Sequence, residues 1–147
     1  MIRFLADGLL IILIVVAAVA LLTGVPRGQR IKRYGLVVMA GLTALLAARL
    51  MGMLPIDTAR PFIEAGVAAG AAYMDNPGFP SDHTALAFTL AFAVFFVTKW
   101  RRLSLGLFVI AILIGVGRMV ALVHTPLDVL GGVVAAAIGA LWYLKLR

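Results

Sequence analysis

Cysteine is absent from the chain, so it holds no disulfide framework, no thiolate metal site and no cysteine nucleophile, and it carries no mark of a redox compartment. Charge is scarce as well. Only 13% of the 147 residues are charged while 64% are hydrophobic, and the mean hydropathy is +1.13, a balance that a water-soluble domain of this length would not tolerate. The apolar runs lack the period-two alternation of a β-barrel, and a bilayer excludes open sheet edges. The formal net charge of +7 does not point to nucleic acid, because the basic residues flank apolar segments instead of forming a polar surface interleaved with aromatics. Membrane lipids are the expected anionic partners.

What is present is a set of long apolar runs. A helix needs about twenty mostly apolar residues to cross the hydrocarbon core. Five stretches come close, from Phe4 to Val25, Tyr34 to Leu54, Asp82 to Thr98, Leu103 to Val123 and Pro126 to Leu144. The expected fold is therefore all-α, an integral membrane bundle of about five transmembrane helices in a single domain over residues 1–147. Ala18-Val19-Ala20 has the small-x-small pattern of a signal-peptidase site, but Asp7 beside Arg3 is unlike a leader's basic start, and the first run is expected to remain as a helix.

Basic residues set the expected orientation. Arg27, Arg30, Lys32 and Arg33 lie between the first two runs, Lys99, Arg101 and Arg102 between the third and fourth, and Lys145 and Arg147 close the chain. The positive-inside rule puts that side in the cytoplasm and the first residue outside. The six acidic residues and both histidines fall on the other side. There, Pro61 followed by the Ala-rich stretch to Tyr73 reads as a short interfacial helix. Asn76-Pro77-Gly78 reads as the turn that returns the chain to the third run.

Three clusters on that side carry chemistry. Pro80-Ser81-Asp82-His83 opens a long apolar helix. Ser81 is a natural N-cap, the free amides of the first turn make a phosphate site, and a histidine there can protonate a leaving oxygen. Arg118 is followed six positions on by His124 and four further by Asp128. Thr125 and Pro126 suit the N-cap and first position of the last helix, which brings the Asp128 carboxylate to the His124 ring; such a carboxylate fixes the tautomer and frees the other nitrogen to attack. Arg60, held extended by Pro61, can offer its planar fork to two phosphate oxygens. Each cluster taken singly also fits a capped helix end or a snorkelling charge. Their convergence on one side is what points to a site.

Arg60-Pro61, Pro80-Ser81-Asp82-His83, and Arg118 with His124 and Asp128 together resemble the type 2 phosphatidic acid phosphatases, over about Arg60 to Gly131. The resemblance implies a metal-independent lipid phosphatase without cofactors, in which His124 becomes phosphorylated, Asp128 orients it, His83 is the general acid, and Arg60, Arg118 and Ser81 cradle the phosphate. Asp82 stands where glycine is common, a form similar to the bacterial polyprenyl (undecaprenyl) diphosphate phosphatases. A carboxylate there needs a cation, with Arg60, Arg118 and Arg49 as the available partners.

The chain also departs from the family pattern. The usual lysine seven positions before Arg60 is Met53, which leaves Arg49 as the candidate substitute, and the usual serine before Arg118 is Gly117. The family's usual bundle has six helices against five here. The resemblance implies hydrolysis of the terminal phosphate of a polyprenyl diphosphate at the extracytoplasmic face of a bacterial plasma membrane. Phosphatidate, phosphatidylglycerol phosphate and a prenyl-linked sugar phosphate are alternative substrates, and a non-catalytic lipid-phosphate transporter is the rival from another class.

Overall fold

Apolar runs without alternation fold here as helices throughout. The computed structural model of the protein describes residues 1–56, 59–75 and 78–146, and every regular element among them is helical. A π-helical turn, Phe4–Gly8, leads into α1 (Leu9–Gly24), and a 3-10 turn, Arg27–Gln29, into α2 (Arg30–Met51). The one-turn α3 (Pro61–Glu64) is followed by α4 (Asp82–Val97), α5 (Arg101–Val120) and α6 (Pro126–Ala140), which ends in a 3-10 stretch, Leu141–Leu146.

Phe4–Gly24, Arg27–Met51, Arg101–Val120 and Pro126–Leu146 are each long and apolar enough to cross a membrane. The fifth expected crossing, α4, is apolar but has only 16 residues, about 24 Å of helix against a hydrocarbon core of about 30 Å. It occupies the middle of the bundle, packed against α1, α2, α5 and α6.

Small residues decide where the helices meet. Ala17, Ala20, Ala40, Ala87, Ala91, Ala111, Ala135 and Ala136 are buried, whereas Ile11, Leu22, Leu46, Val109, Leu130 and Leu141 are exposed. Lipid is as apolar as leucine, so large side chains gain little from the interior, and close backbone approach drives association instead. Gly132 shows how close: a Cβ there would stand 2.7 Å from the Ser81 carbonyl oxygen and 2.9 Å from the Ala85 nitrogen.

The two ends of the bundle differ in chemistry. At the basic end Arg30 and Tyr34 donate to the Leu22 and Leu21 carbonyls, and Arg33 and Arg101 to those of Val97 and Phe95, meeting acceptors that helix C-termini leave open. At the other end lies the connection between α2 and α4. The helix expected from Pro61 to Tyr73 is only the single turn of α3. Gly66, at φ +63°, ends it, with the Gly66 and Val67 amides returning to the Ile63 and Phe62 carbonyls. Beyond that point the backbone donates to other elements, from Gly70 to the Ala121 carbonyl and from Ala72 to the Asp7 carboxylate. Asp57, Thr58, Asn76, Pro77 and Arg147 lie outside the described residues, so the first two positions of the expected Asn76-Pro77-Gly78 turn do as well.

Gly132→Val would force α6 away from backbone atoms of α4 that cannot yield. The expected result is a loss of about 1–3 kcal/mol, read as a lower melting temperature of the detergent-solubilised protein. An unchanged melting temperature would show that the two helices are not in contact at this point.

Candidate active site

Two helix starts lie side by side at the acidic end because the Ser81 amide donates to the Asp128 carbonyl at 2.9 Å. Ser81 caps α4, its hydroxyl facing the Thr84 amide at 3.5 Å and hydroxyl at 3.1 Å. His83 follows in the first turn. Thr125 caps α6 in a full capping box, accepting from the Asp128 amide at 3.2 Å while its own amide donates to Asp128 Oδ2 at 2.7 Å, with Pro126 in the first turn. That box fixes the carboxylate, and the same Oδ2 stands 3.4 Å from His124 Nδ1.

Arg118 lies in the last turn of α5 with 1% of its surface exposed. Between it and His124 the chain turns through Leu122 at φ 58°, a left-handed conformation rare for a branched residue, and the Leu122 carbonyl accepts from the Phe62 amide at 2.9 Å. Arg60 holds the same turn. Its Nη1 donates to the Val123 carbonyl at 2.8 Å, its Nη2 to the Met74 carbonyl at 2.9 Å, and its guanidinium lies 5.4 Å from the Tyr73 ring centroid. The arginine read from the sequence as a phosphate ligand is thus also a brace between two loops.

His83, His124, Arg60, Arg118 and Asp82 line one cavity of about 230 Å³, closed on another side by Ala72, Tyr73 and Met74. Neither His124 Nδ1 nor Asp128 Oδ1, both buried, has a hydrogen-bond partner among the described residues. The nearer carboxylate oxygen, Oδ2, is already 3.4 Å from Nδ1, and catalytic pairs often tighten only around a substrate. The chemistry available here is nucleophilic attack by one imidazole, proton donation by the other, and charge stabilisation by the guanidinium groups and the positive end of α4.

Not every expected residue lies in that cavity. The Ser81 hydroxyl is fully buried and engaged with Thr84. Arg49 lies beyond Asp82, which lines the histidine cavity and two neighbours: a groove of about 350 Å³ between α2 and α4, walled by Gly41, Ala44, Leu45, Ala48, Ala85, Leu86 and Thr89, and a smaller cavity with Met53 and Phe79. Among the described residues Asp82 makes no ion pair with Arg118 or Arg49, so the pairing expected with one of these is not made.

The partner of Arg118 is Asp7, whose Oδ1 stands 2.6 Å from Nη1 and 3.5 Å from His83 Nε2. Asp7 is not among the site residues expected from the sequence. Its signal was available, because a carboxylate inside an apolar run is costly and marks a site unless paired, but the partner is 111 positions away.

The pattern of the PAP2 superfamily matches residues 9–147. Over 141 residues, 94% of this chain and 68% of the relative, the chain is 34% identical to an Escherichia coli (strain K12) protein named "Putative undecaprenyl-diphosphatase YbjG". Over 72 residues, 47% of this chain, it is 39% identical to the Bacillus licheniformis "Bacitracin transport permease protein BcrC", of which it spans 32%. No solved structure matches the chain significantly.

Arg60→Lys keeps the charge but removes the fork that spans two carbonyls. It is expected to cost about 1–3 kcal/mol of stability, measured by thermal unfolding in detergent; a parent-like melting curve would mean that the brace is not formed.

Proposed function

The chain belongs to the PAP2 superfamily, and from that premise we propose that this lipid phosphatase hydrolyses the terminal phosphate of a polyprenyl diphosphate at the outer membrane face through a phosphohistidine. One observation carries the reading: both histidines of the chain line a single cavity with two arginines, and the buried Asp128 carboxylate backs one of them.

In the proposed reaction His124 attacks the terminal phosphorus and the bond to the bridging oxygen breaks. His83 protonates that oxygen, which leaves with the lipid monophosphate. Asp128 holds the ring and stabilises its positive charge while Arg118, Arg60 and the first-turn amides of α4 take up charge on the equatorial oxygens. Water then attacks the phosphohistidine with His83 as base, releasing inorganic phosphate and restoring His124. The apolar groove between α2 and α4, headed by Arg49 and Asp82 and sharing Asp82 with the histidine cavity, suits an isoprenoid chain, with Arg49 near the phosphate that stays on the lipid. No step calls for a metal.

Phosphate release from a panel of lipid phosphates tests this reading, with the polyprenyl diphosphate expected as the best substrate and activity unchanged in chelator. His124→Ala is expected to abolish release and His83→Ala to lower it by about 10²- to 10⁴-fold. A His124→Ala protein as active as the parent would sink the mechanism, and binding without turnover would favour the transporter.

Orientation has its own test, made simple by the lack of native cysteines. Met74 and Gly28, both exposed, are replaced singly by cysteine in intact cells. An impermeant thiol reagent is expected to label position 74 and spare position 28; the reverse pattern would place the cavity on the cytoplasmic side.

A further inference from the structure

Asp7 precedes the stretch that matches the family pattern, yet it touches three parts of the site at once. Oδ1 faces Arg118 Nη1 at 2.6 Å and His83 Nε2 at 3.5 Å, and Oδ2 accepts from the Ala72 amide at 3.0 Å. Arg118, His83 and Ala72 all line the histidine cavity, and Asp7 does not. The carboxylate is thus in contact with three groups of the cavity wall.

We infer that Asp7 is a positioning residue that sets Arg118 and His83 for the transferred phosphate; this rests on the phosphatase reading above. Arg118 is fully buried, and a buried guanidinium needs a countercharge. Asp7 supplies it at Nη1 only. Arg118 also lines the cavity, so its guanidinium is anchored at one donor and keeps others for an anion there. Holding His83 beside the same oxygen ties the proton donor to the arginine in one geometry.

The first helix reaches Arg118 because of the residue before it. A Cβ on Gly117 would stand 2.9 Å from both the Leu5 carbonyl carbon and the Ala6 nitrogen, backbone atoms that would have to move. The absence of a side chain at 117 and the presence of a carboxylate at 7 are two halves of one arrangement.

The test compares the full-length parent with Asp7→Asn, Gly117→Ser, Arg118→Lys and the Asp7→Asn/Arg118→Lys pair. Phosphate release from a polyprenyl diphosphate gives kcat and KM, and calorimetry gives the affinity for inorganic phosphate without turnover. Asp7→Asn is expected to lower kcat by about ten- to a hundredfold, the cost of a misplaced catalytic group, and to weaken phosphate binding. Gly117→Ser should do the same by displacing the first helix. In the Arg118→Lys background Asp7→Asn should cost clearly less than it does in the parent, because part of its effect passes through Arg118.

A parent-like kcat in Asp7→Asn, tighter phosphate binding, or multiplicative effects in the pair would overturn the inference; so would a lower melting temperature with parent-like kinetics. If the parent releases no phosphate, the phosphatase reading fails, and the calorimetric comparison alone still decides whether Asp7 aims Arg118 at an anion.

Discussion

An arginine with 1% of its surface exposed, in the last turn of a helix in an apolar bundle, is the constraint on which the rest of this structure depends. Taking that charge from water costs several kcal/mol unless a countercharge and hydrogen bonds meet it. The countercharge comes from the first helix, the one farthest away in sequence. For Asp7 to reach Arg118, α5 must present no side chain at Gly117, and the first helix must lie against its last turn. The second Asp7 oxygen then draws in the Ala72 amide, which fixes the loop that walls the cavity. One ion pair thus joins the first helix, the fifth helix, the first turn of the fourth and the connecting loop.

The same economy governs the loops around the cavity. Of the backbone donors that a helix of residues 65–73 would have used internally, Gly70 goes to the Ala121 carbonyl after α5 and Ala72 to Asp7, and the Arg60 guanidinium spans Val123 and Met74. His124 therefore sits on a short segment pinned by the capping box after it and by hydrogen bonds before it. Rigid placement is what phosphoryl transfer asks of a protein, since positioning and electrostatic stabilisation supply most of the rate.

The bundle itself imposes little chemistry. Its interior is rich in alanine and glycine, packed in places closely enough for backbones to touch, and its outer surface is mainly leucine, isoleucine and valine. A central helix too short to span the hydrocarbon core is supported because four others surround it. Its start opens toward both the histidine cavity and the groove along α2, with Asp82 at the junction.

Local signals were legible in the sequence because they act over a few residues. Apolar run length and the missing period-two alternation determined the helical class; Ser81, Thr125 and Pro126 marked helix starts; the spacing of His124 and Asp128 foretold a carboxylate beside the ring, since a capping box fixes it within one turn. What spacing cannot carry is an interaction between distant parts of the chain. The expected helix to Tyr73 stopped at Gly66, whose positive φ and outward-turning neighbours answer to partners in α5 and in the first helix. Arg49 fell on the far side of Asp82, and among the described residues Asp82 pairs with neither Arg49 nor Arg118, whose countercharge is Asp7. The sequence by itself determined the class, the membrane, the helix starts and the two histidines; only the tertiary structure decided which charge balances which, because a buried cation is met by whichever carboxylate packing brings within reach.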